Sequence, residues 1–305
     1  ALAEAILRVL QDPSLRNKLS RLASQRTQKF DALQSVQKYT HLIRRLHEEA
    51  QSVRAIKAMV VVPVMEAGGA ERGTALLLQH LDRQIVKPEL AIAFDREIFY
   101  PIPNDVWVHI LEKQLEPQQA VSEPILPPDL LEYRDSVLWL EKMALKLATL
   151  VKERQSDVIF STQLWSSIIA TMARKYLPSH VRIIAMVVSH PSTRLPGKKY
   201  AALYGYLMRG YFNGADRIVA VSEGIAQDLV ENYGVKPEKI DVIHYPVDWA
   251  KVQELAQEPV EHEWFSQEIP IVLFVGRLEA VKGLEYLLRA FAKVRRSTPA
   301  RCVLV

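Results

Sequence analysis

Two cations, Arg277 and Lys282, flank a polar turn that opens an apolar-striped helix, and they mark one place where this 305-residue sequence could hold an anion. An apolar run from Ile271 to Val275 stops at Gly276. After the turn, Leu284, Leu287, Leu288 and Phe291 repeat at the i, i+3, i+4, i+7 spacing of one buried helix face. The unit therefore reads as strand, loop, helix. Free N–H groups and the macrodipole already make a helix start positive, so cations there are unfavourable unless an anion joins them. Phosphate oxygens would be held by those N–H groups and by both side chains. Alternatively, Glu279 and Glu285 neutralise the pair on a solvated turn. Spacing alone leaves both readings open.

Three further positions invite chemistry. Gly68-Gly69 stands between an apolar strand and the helix after it, where a glycine pair lets backbone turn with positive φ and approach a ligand. Neither G-x-G-x-x-G nor G-x-x-x-x-G-K-[ST] is present, so dinucleotide and P-loop readings lose support. His190, followed by Pro191, ends the strand pattern 183–188 and should lie at a strand's C-terminal edge, where open α/β sheets bind ligands. There it can donate to a sugar hydroxyl or shuttle a proton, or simply be solvated. Ser222 is placed to N-cap the helix beginning at Glu223, and could also face a cleft. Glu71 and Arg72 read as an intrahelical or capping pair. His41, His47, His80, His109, His180, His244 and His262 have no metal-ligand spacing, so no metal site is expected.

The elements that must position these residues are legible as periodicity. Residues 58–64 form a continuous apolar run, as for a strand buried on both faces. Further strands are expected at 90–94, 106–111, 157–161, 183–188, 217–221 and 239–243, with helices at 129–153, 164–177, 199–212 and 223–233. This alternation predicts an α/β fold with a parallel, doubly wound sheet. The proline-rich stretch 114–128 reads as a surface loop. Residues 1–52 read as helices, restarted at Asp12-Pro13 by an N-cap aspartate and a first-turn proline. The sequence predicts four segments: a helical tail at 1–52, a Rossmann-like domain at 55–248, a linker at 249–268 and the start of a second such domain at 269–305.

Composition is globular, 49% hydrophobic and 24% charged. The single cysteine, Cys302, excludes a disulfide framework and fits a reducing cytosol. No apolar run reaches the length of a membrane span. A net charge of +4 favours anionic partners such as phosphates or a lipid surface, and is too small to argue for nucleic acid. A basic loop with Arg194, Lys198 and Lys199 runs into a helix rich in aromatics (Tyr200, Tyr204, Tyr206, Tyr211 and Phe212). This reads first as a solvated loop beside a half-buried helix, and alternatively as an acceptor or anionic-membrane patch.

The string Gly276-Arg277-Leu278-Glu279-Ala280-Val281-Lys282-Gly283 resembles the G-R-L-x-x-x-K-G motif that opens the donor domain of family 4 glycosyltransferases, which have the GT-B fold. In that family the Arg and Lys grip the diphosphate of a nucleotide-sugar, and Arg277 and Lys282 match them. Gly68-Gly69-Ala70-Glu71-Arg72 resembles the family's N-terminal loop, which faces the donor phosphates. The resemblance gives Gly69 an N–H role there, with Gly68 beside it. Val188 to Ser192 falls where the family has a histidine beside the transferred sugar, which implies that role for His190. Asp216 to Gly224 is a further match. Ile243 to Asp248 matches the end-of-domain motif, with Tyr245 where the family usually has asparagine.

Residues 1–52 resemble the C-terminal end of the same family, here placed ahead of the N-terminal domain. The resemblance implies a fragment spanning the junction of two tandem units, or a circularly permuted fold, with tandem fusion the more economical account. The family's Glu-x7-Glu region lies beyond Val305 in this register, so this piece alone is not expected to be active. What the resemblance implies is a retaining, metal-independent glycosyltransferase without cofactor. It would move a sugar from a nucleotide-diphospho-sugar to a glycan or lipid-linked acceptor in polysaccharide or glycoconjugate synthesis. Its expected place is the cytoplasm, with peripheral contact at the inner membrane face. The alternative is a non-catalytic GT-B module that binds nucleotide or scaffolds a larger synthase. A sugar-nucleotide epimerase of that fold is disfavoured by the motif.

Overall fold

The computed structural model describes residues 1–48, 54–114, 121, 123–197 and 199–305. Lys198 of the basic loop, part of the 114–128 loop and the expected 52/55 boundary lie outside these residues. The chain divides into two compact units, one made of Ala1–Gln28 with Trp249–Val305 and the other of Lys29–Asp248.

The larger unit is built on seven parallel strands: β1 (Ile56–Val62), β2 (Val86–Ile92), β3 (Val108–Ile110), β4 (Val158–Ser161), β5 (Arg182–Val187), β6 (Arg217–Ala220) and β7 (Ile240–Val242). Their spatial order is β3-β2-β1-β4-β5-β6-β7, the doubly wound arrangement expected. β1 is almost wholly buried apart from Lys57, which explains its apolar run from Ala58 to Val62. The chain winds outwards from β1 to β2 and β3, then returns to β4 on β1's other side. The order therefore reverses between β1 and β4, the switch point at which open α/β sheets form a crevice.

One face of this sheet carries α5 (Arg134–Arg154), α6 (Leu164–Met172), α8 (Ala201–Tyr211) and α9 (Glu223–Tyr233) over a core that includes Met59, Leu147, Ile169, Leu207 and Leu229. The short α7 (Pro191–Arg194) lies ahead of α8. The other face carries α3 (Ala32–Glu48) and α4 (Gly69–His80) over Val60, Leu78, Phe160 and Ile184. Two expected helices are interrupted. The 129–153 helix is preceded by a 3-10 segment, Pro128–Tyr133, begun by proline. The 164–177 helix tightens into 3-10 at Ala173–Tyr176, because Pro178 drives Leu177 into extended backbone.

Helices expected to form one tail are shared between the units. α3 belongs to the sheet unit, where Tyr39 is 1% exposed, meets Phe160 edge-on at 5.5 Å and donates to the Ile243 carbonyl at 3.3 Å. Burial pushes its phenol well above the ordinary range, with the Tyr245 phenol adding to the shift, so it stays a neutral donor. The unit's two ends meet: Val247 N donates to the Phe30 carbonyl at 2.8 Å, and Ala32 N to the Val247 carbonyl at 3.0 Å.

In the smaller unit, α1 (Leu2–Gln11), α2 (Pro13–Thr27) and α10 (Trp249–Leu255) accompany a parallel pair, β8 (Ile271–Phe274) and β9 (Arg301–Leu304), joined through α11 (Leu284–Val294). Ala3, Ile6, Leu7 and Leu10 of α1 pack on Phe291, Val294 and Ala300. The first apolar stripe of the sequence thus finds its partner at the far end of the chain. Among the described residues no helix is long and apolar enough to cross a membrane.

Candidate functional site

Four of the singled-out positions gather at the C-terminal edge of the seven-stranded sheet. Gly68 and Gly69 follow β1, His190 follows β5 and Ser222 follows β6; Gln163, which the sequence did not single out, follows β4. Each strand ends in a loop that opens a helix, so helix starts with their first-turn N–H groups line this edge.

At the switch point, Gly69 begins α4 and is exposed, with open space where a side chain would stand. Gly68 is its N-cap and supplies no side-chain cap, so the first N–H groups of α4 face outwards. The expected positive φ is not found at this pair. Gly68 is extended at φ −166°, and its space is taken by the Glu71 carboxylate, 2.0 Å from where a Cβ would sit. Positive φ occurs across the switch point at Gln163 (φ +72°), a non-glycine in the left-handed region. The Gln163 amide donates to Glu71 Oε1 at 3.0 Å, tying the loop after β4 to that after β1. Glu71 therefore reaches to a neighbouring loop instead of pairing with Arg72.

Tyr245, the departure from the expected asparagine, is a wedge. Its ring lies against α4, so that a Cβ on Gly73 would sit 1.9 Å from Tyr245 Cε1. Its hydroxyl donates to the Ala70 carbonyl. Burial raises its phenol strongly, against a smaller opposing effect from the Thr74 side chain. The position supports the backbone behind Gly69.

His190 precedes α7 and is 40% exposed, while the carboxylate beneath it is fully buried: Asp228 Oδ2 lies 3.1 Å from His190 Nδ1. The carboxylate also accepts from Ser192 N at 3.0 Å, from Asn232 Nδ2 at 2.7 Å and from the Ser192 hydroxyl. Burial alone would raise the Asp228 carboxyl. The Ser192 donors, Asn232 and the neighbouring imidazole outweigh it and hold the group below the ordinary range. An ionised acceptor at Nδ1 fixes the tautomer with the proton there and leaves Nε2 free to accept. Sequence reading missed Asp228. Its signal was an acid on the buried stripe of α9, among Ile225, Leu229 and Tyr233.

Ser222 caps α9, its Oγ accepting from Ile225 N at 3.3 Å. The aromatic helix is half-buried, with Leu203, Leu207 and Met208 in the core, and Tyr133 binds the Lys199 carbonyl at 2.8 Å. In the smaller unit, Arg277 is 65% exposed and pairs with Glu279 at 3.0 Å. Glu285 pairs with Arg289, and among the described residues no carboxylate is seated on the exposed Lys282. Gly276 (φ +148°) and Gly283 (φ +70°) make the turn, and α11 begins without a side-chain cap.

A parallel doubly wound sheet with helix-opening loops along its C-terminal edge defines an α/β protein of the class whose ligand sites lie at that edge. The chain belongs to Glycosyltransferase Family 4, whose model matches residues 67–251, more than half of its length. It is similar to the N-acetylgalactosamine-N,N'-diacetylbacillosaminyl-diphospho-undecaprenol 4-alpha-N-acetylgalactosaminyltransferase of Campylobacter jejuni, 27% identical over 78% of this chain and 60% of that one. A D-inositol 3-phosphate glycosyltransferase of Nocardia farcinica is 37% identical over 30% of this chain and 20% of its own length. Among solved structures, a sucrose-phosphate synthase of Thermosynechococcus elongatus shares the fold at 17% identity and a TM-score of 0.51, over 82% of this chain and 62% of that one. The chain thus spans less than two thirds of the length of these relatives.

Proposed function

We propose that the protein is a retaining, metal-independent glycosyltransferase that moves a sugar from a nucleotide-diphospho-sugar to a glycan or lipid-linked acceptor. The observation that carries this reading is the His190–Asp228 pair, a buried carboxylate holding a half-exposed imidazole on the edge that also presents Gly69. The name of the C. jejuni relative supports an undecaprenol-linked class of acceptor and an alpha-linked product. By the family resemblance, Arg277 and Lys282 of the smaller unit would bind the diphosphate, and the Gly69 N–H of the larger unit is a separate candidate phosphate donor. Two cations and backbone N–H groups would then stabilise the leaving group electrostatically, in the place of a metal. His190 Nε2, with its tautomer set by Asp228, would take a hydroxyl hydrogen bond of the reacting sugar. Ser222, already a cap, would contribute only its position on the rim.

The test is sugar transfer by the whole protein to an undecaprenyl-diphosphate-linked saccharide, in EDTA, with the product anomer read by NMR. Transfer with an α-configured product that is unaffected by EDTA and lost in His190→Ala supports the reading. A β product, a metal requirement, or full activity in His190→Ala would each refute the corresponding part.

A further inference from the structure

A second feature of the sheet's C-terminal edge is not used by the site above. Phe94 at the end of β2, Trp139 of α5 and Trp165 of α6 form an aromatic wall. The rings of Phe94 and Trp139 stack at 5.5 Å and 9°, and Trp165 lies 5.1 Å from Trp139 and 5.0 Å from Phe94. Trp139 and Trp165 line a cavity of about 380 Å³ with Tyr200, the N-cap of α8, Tyr204 and Leu203 of that helix, and Leu140, Asp135 and Ser136, while Phe94 stacks on Trp139 outside this lining. Trp139 remains 37% exposed. Among the described residues Asp135 and Ser136 have no side-chain partner, and no cation lines the cavity.

We propose that this cavity is a saccharide subsite that seats one pyranose ring of the acceptor glycan. The proposal rests on the glycosyltransferase reading only for calling that glycan the acceptor. A pyranose has an apolar C–H face and a rim of hydroxyls. Flat aromatic faces match the first, and an unpaired carboxylate and hydroxyl match the second. A diphosphate is disfavoured because the described lining offers it a carboxylate and no cation of its own, the Lys199 ammonium being held over the Tyr200 ring at 5.3 Å from its centroid. An isoprenoid chain is disfavoured because it would strip water from Asp135 and return no hydrogen bond. Tyr200 and Tyr204 follow His190 in the chain, on the stretch that runs from β5 into α8.

The test is ligand-observed saturation-transfer NMR on the chain, with methyl glycosides of glucose, galactose and N-acetylgalactosamine as probes. Farnesyl phosphate and uridine diphosphate serve as competitors. At least one glycoside is expected to bind, with neither competitor displacing it. Trp139→Ala and Asp135→Asn should each weaken that binding about tenfold or more, the loss of a ring platform or of a charged acceptor. Both residues are exposed, so the variants should fold, and unchanged circular dichroism verifies it. Three results overturn the proposal: no glycoside binding, displacement by farnesyl phosphate or the nucleotide, or unchanged binding in both folded variants. In transfer assays of the whole protein the same substitutions should raise the acceptor KM. If glycosides bind as expected while the whole protein transfers no sugar, the functional reading fails and the subsite stands. Normal transfer with an unaltered acceptor KM has the opposite meaning.

Discussion

Replacing Asp228 by asparagine removes one negative charge and one acceptor from beneath His190 while keeping the volume. The carboxylate accepts from Ser192 N, the Ser192 hydroxyl, Asn232 and His190. An amide offers one acceptor oxygen and presents an NH₂ to the remaining donors. With hydrogen bonds to buried charged groups contributing about 1.5–3 kcal/mol each, the substitution should destabilise the sheet unit by roughly 2–4 kcal/mol at neutral pH. The wild-type carboxyl is held below its unfolded value of about 3.9. Its stabilising contribution is therefore fully present above that value and is lost as pH falls through the lower folded one. Urea denaturation of both proteins from pH 8 to pH 3 measures this. The gap should be constant down to about pH 5 and narrow below about pH 4 as the carboxylate protonates. In the whole protein the amide would also favour the other imidazole tautomer, with turnover expected to fall about 10–100-fold. A gap below about 1 kcal/mol, or one unchanged down to pH 3, would refute the buried-carboxylate argument. Wild-type turnover in a folded variant would refute the positioning role.

Gly73→Ala forces the Tyr245 ring off α4 and should cost about 1–3 kcal/mol, while Gly73→Ala combined with Tyr245→Ala should recover part of the loss. Additive effects in a double-mutant thermal-unfolding cycle would argue against the wedge. Arg277→Ala and Lys282→Ala should shift stability by less than about 0.5 kcal/mol, because both side chains are exposed. The same changes in the whole protein should lower turnover about 10²–10³-fold, and near-normal rates in both would remove them from the mechanism. Tyr39→Ala should destabilise the sheet unit by about 3–5 kcal/mol if α3 is integral to its core. A loss under 1 kcal/mol by chemical denaturation would instead make α3 a dispensable attachment.

Sequence alone determined the parallel doubly wound sheet, because strands buried on both faces must be apolar throughout and their crossover helices carry a 3.6-residue stripe. Residues 58–64 and 284–291 are the plainest cases: the strand formed at Ile56–Val62 and the helix at Leu284–Val294. It also placed Gly69, His190 and Ser222 at strand ends, since a loop between β and α in such a sheet can only lie on its edge. Tertiary structure decided what touches what. Asp228 is legible as an acid on the apolar stripe of α9, but only packing of α7 on α9 brings it under His190. Gln163 gives no local sign of a positive φ, nor of the Glu71 carboxylate that its amide meets across the switch point. The aromatic wall joins residues 94, 139 and 165, and no local periodicity links positions so far apart. The helical stripes of residues 2–10 and 36–46 were legible as apolar faces, but a stripe does not name its partner. α1 found α11, and α3 found the back of the sheet.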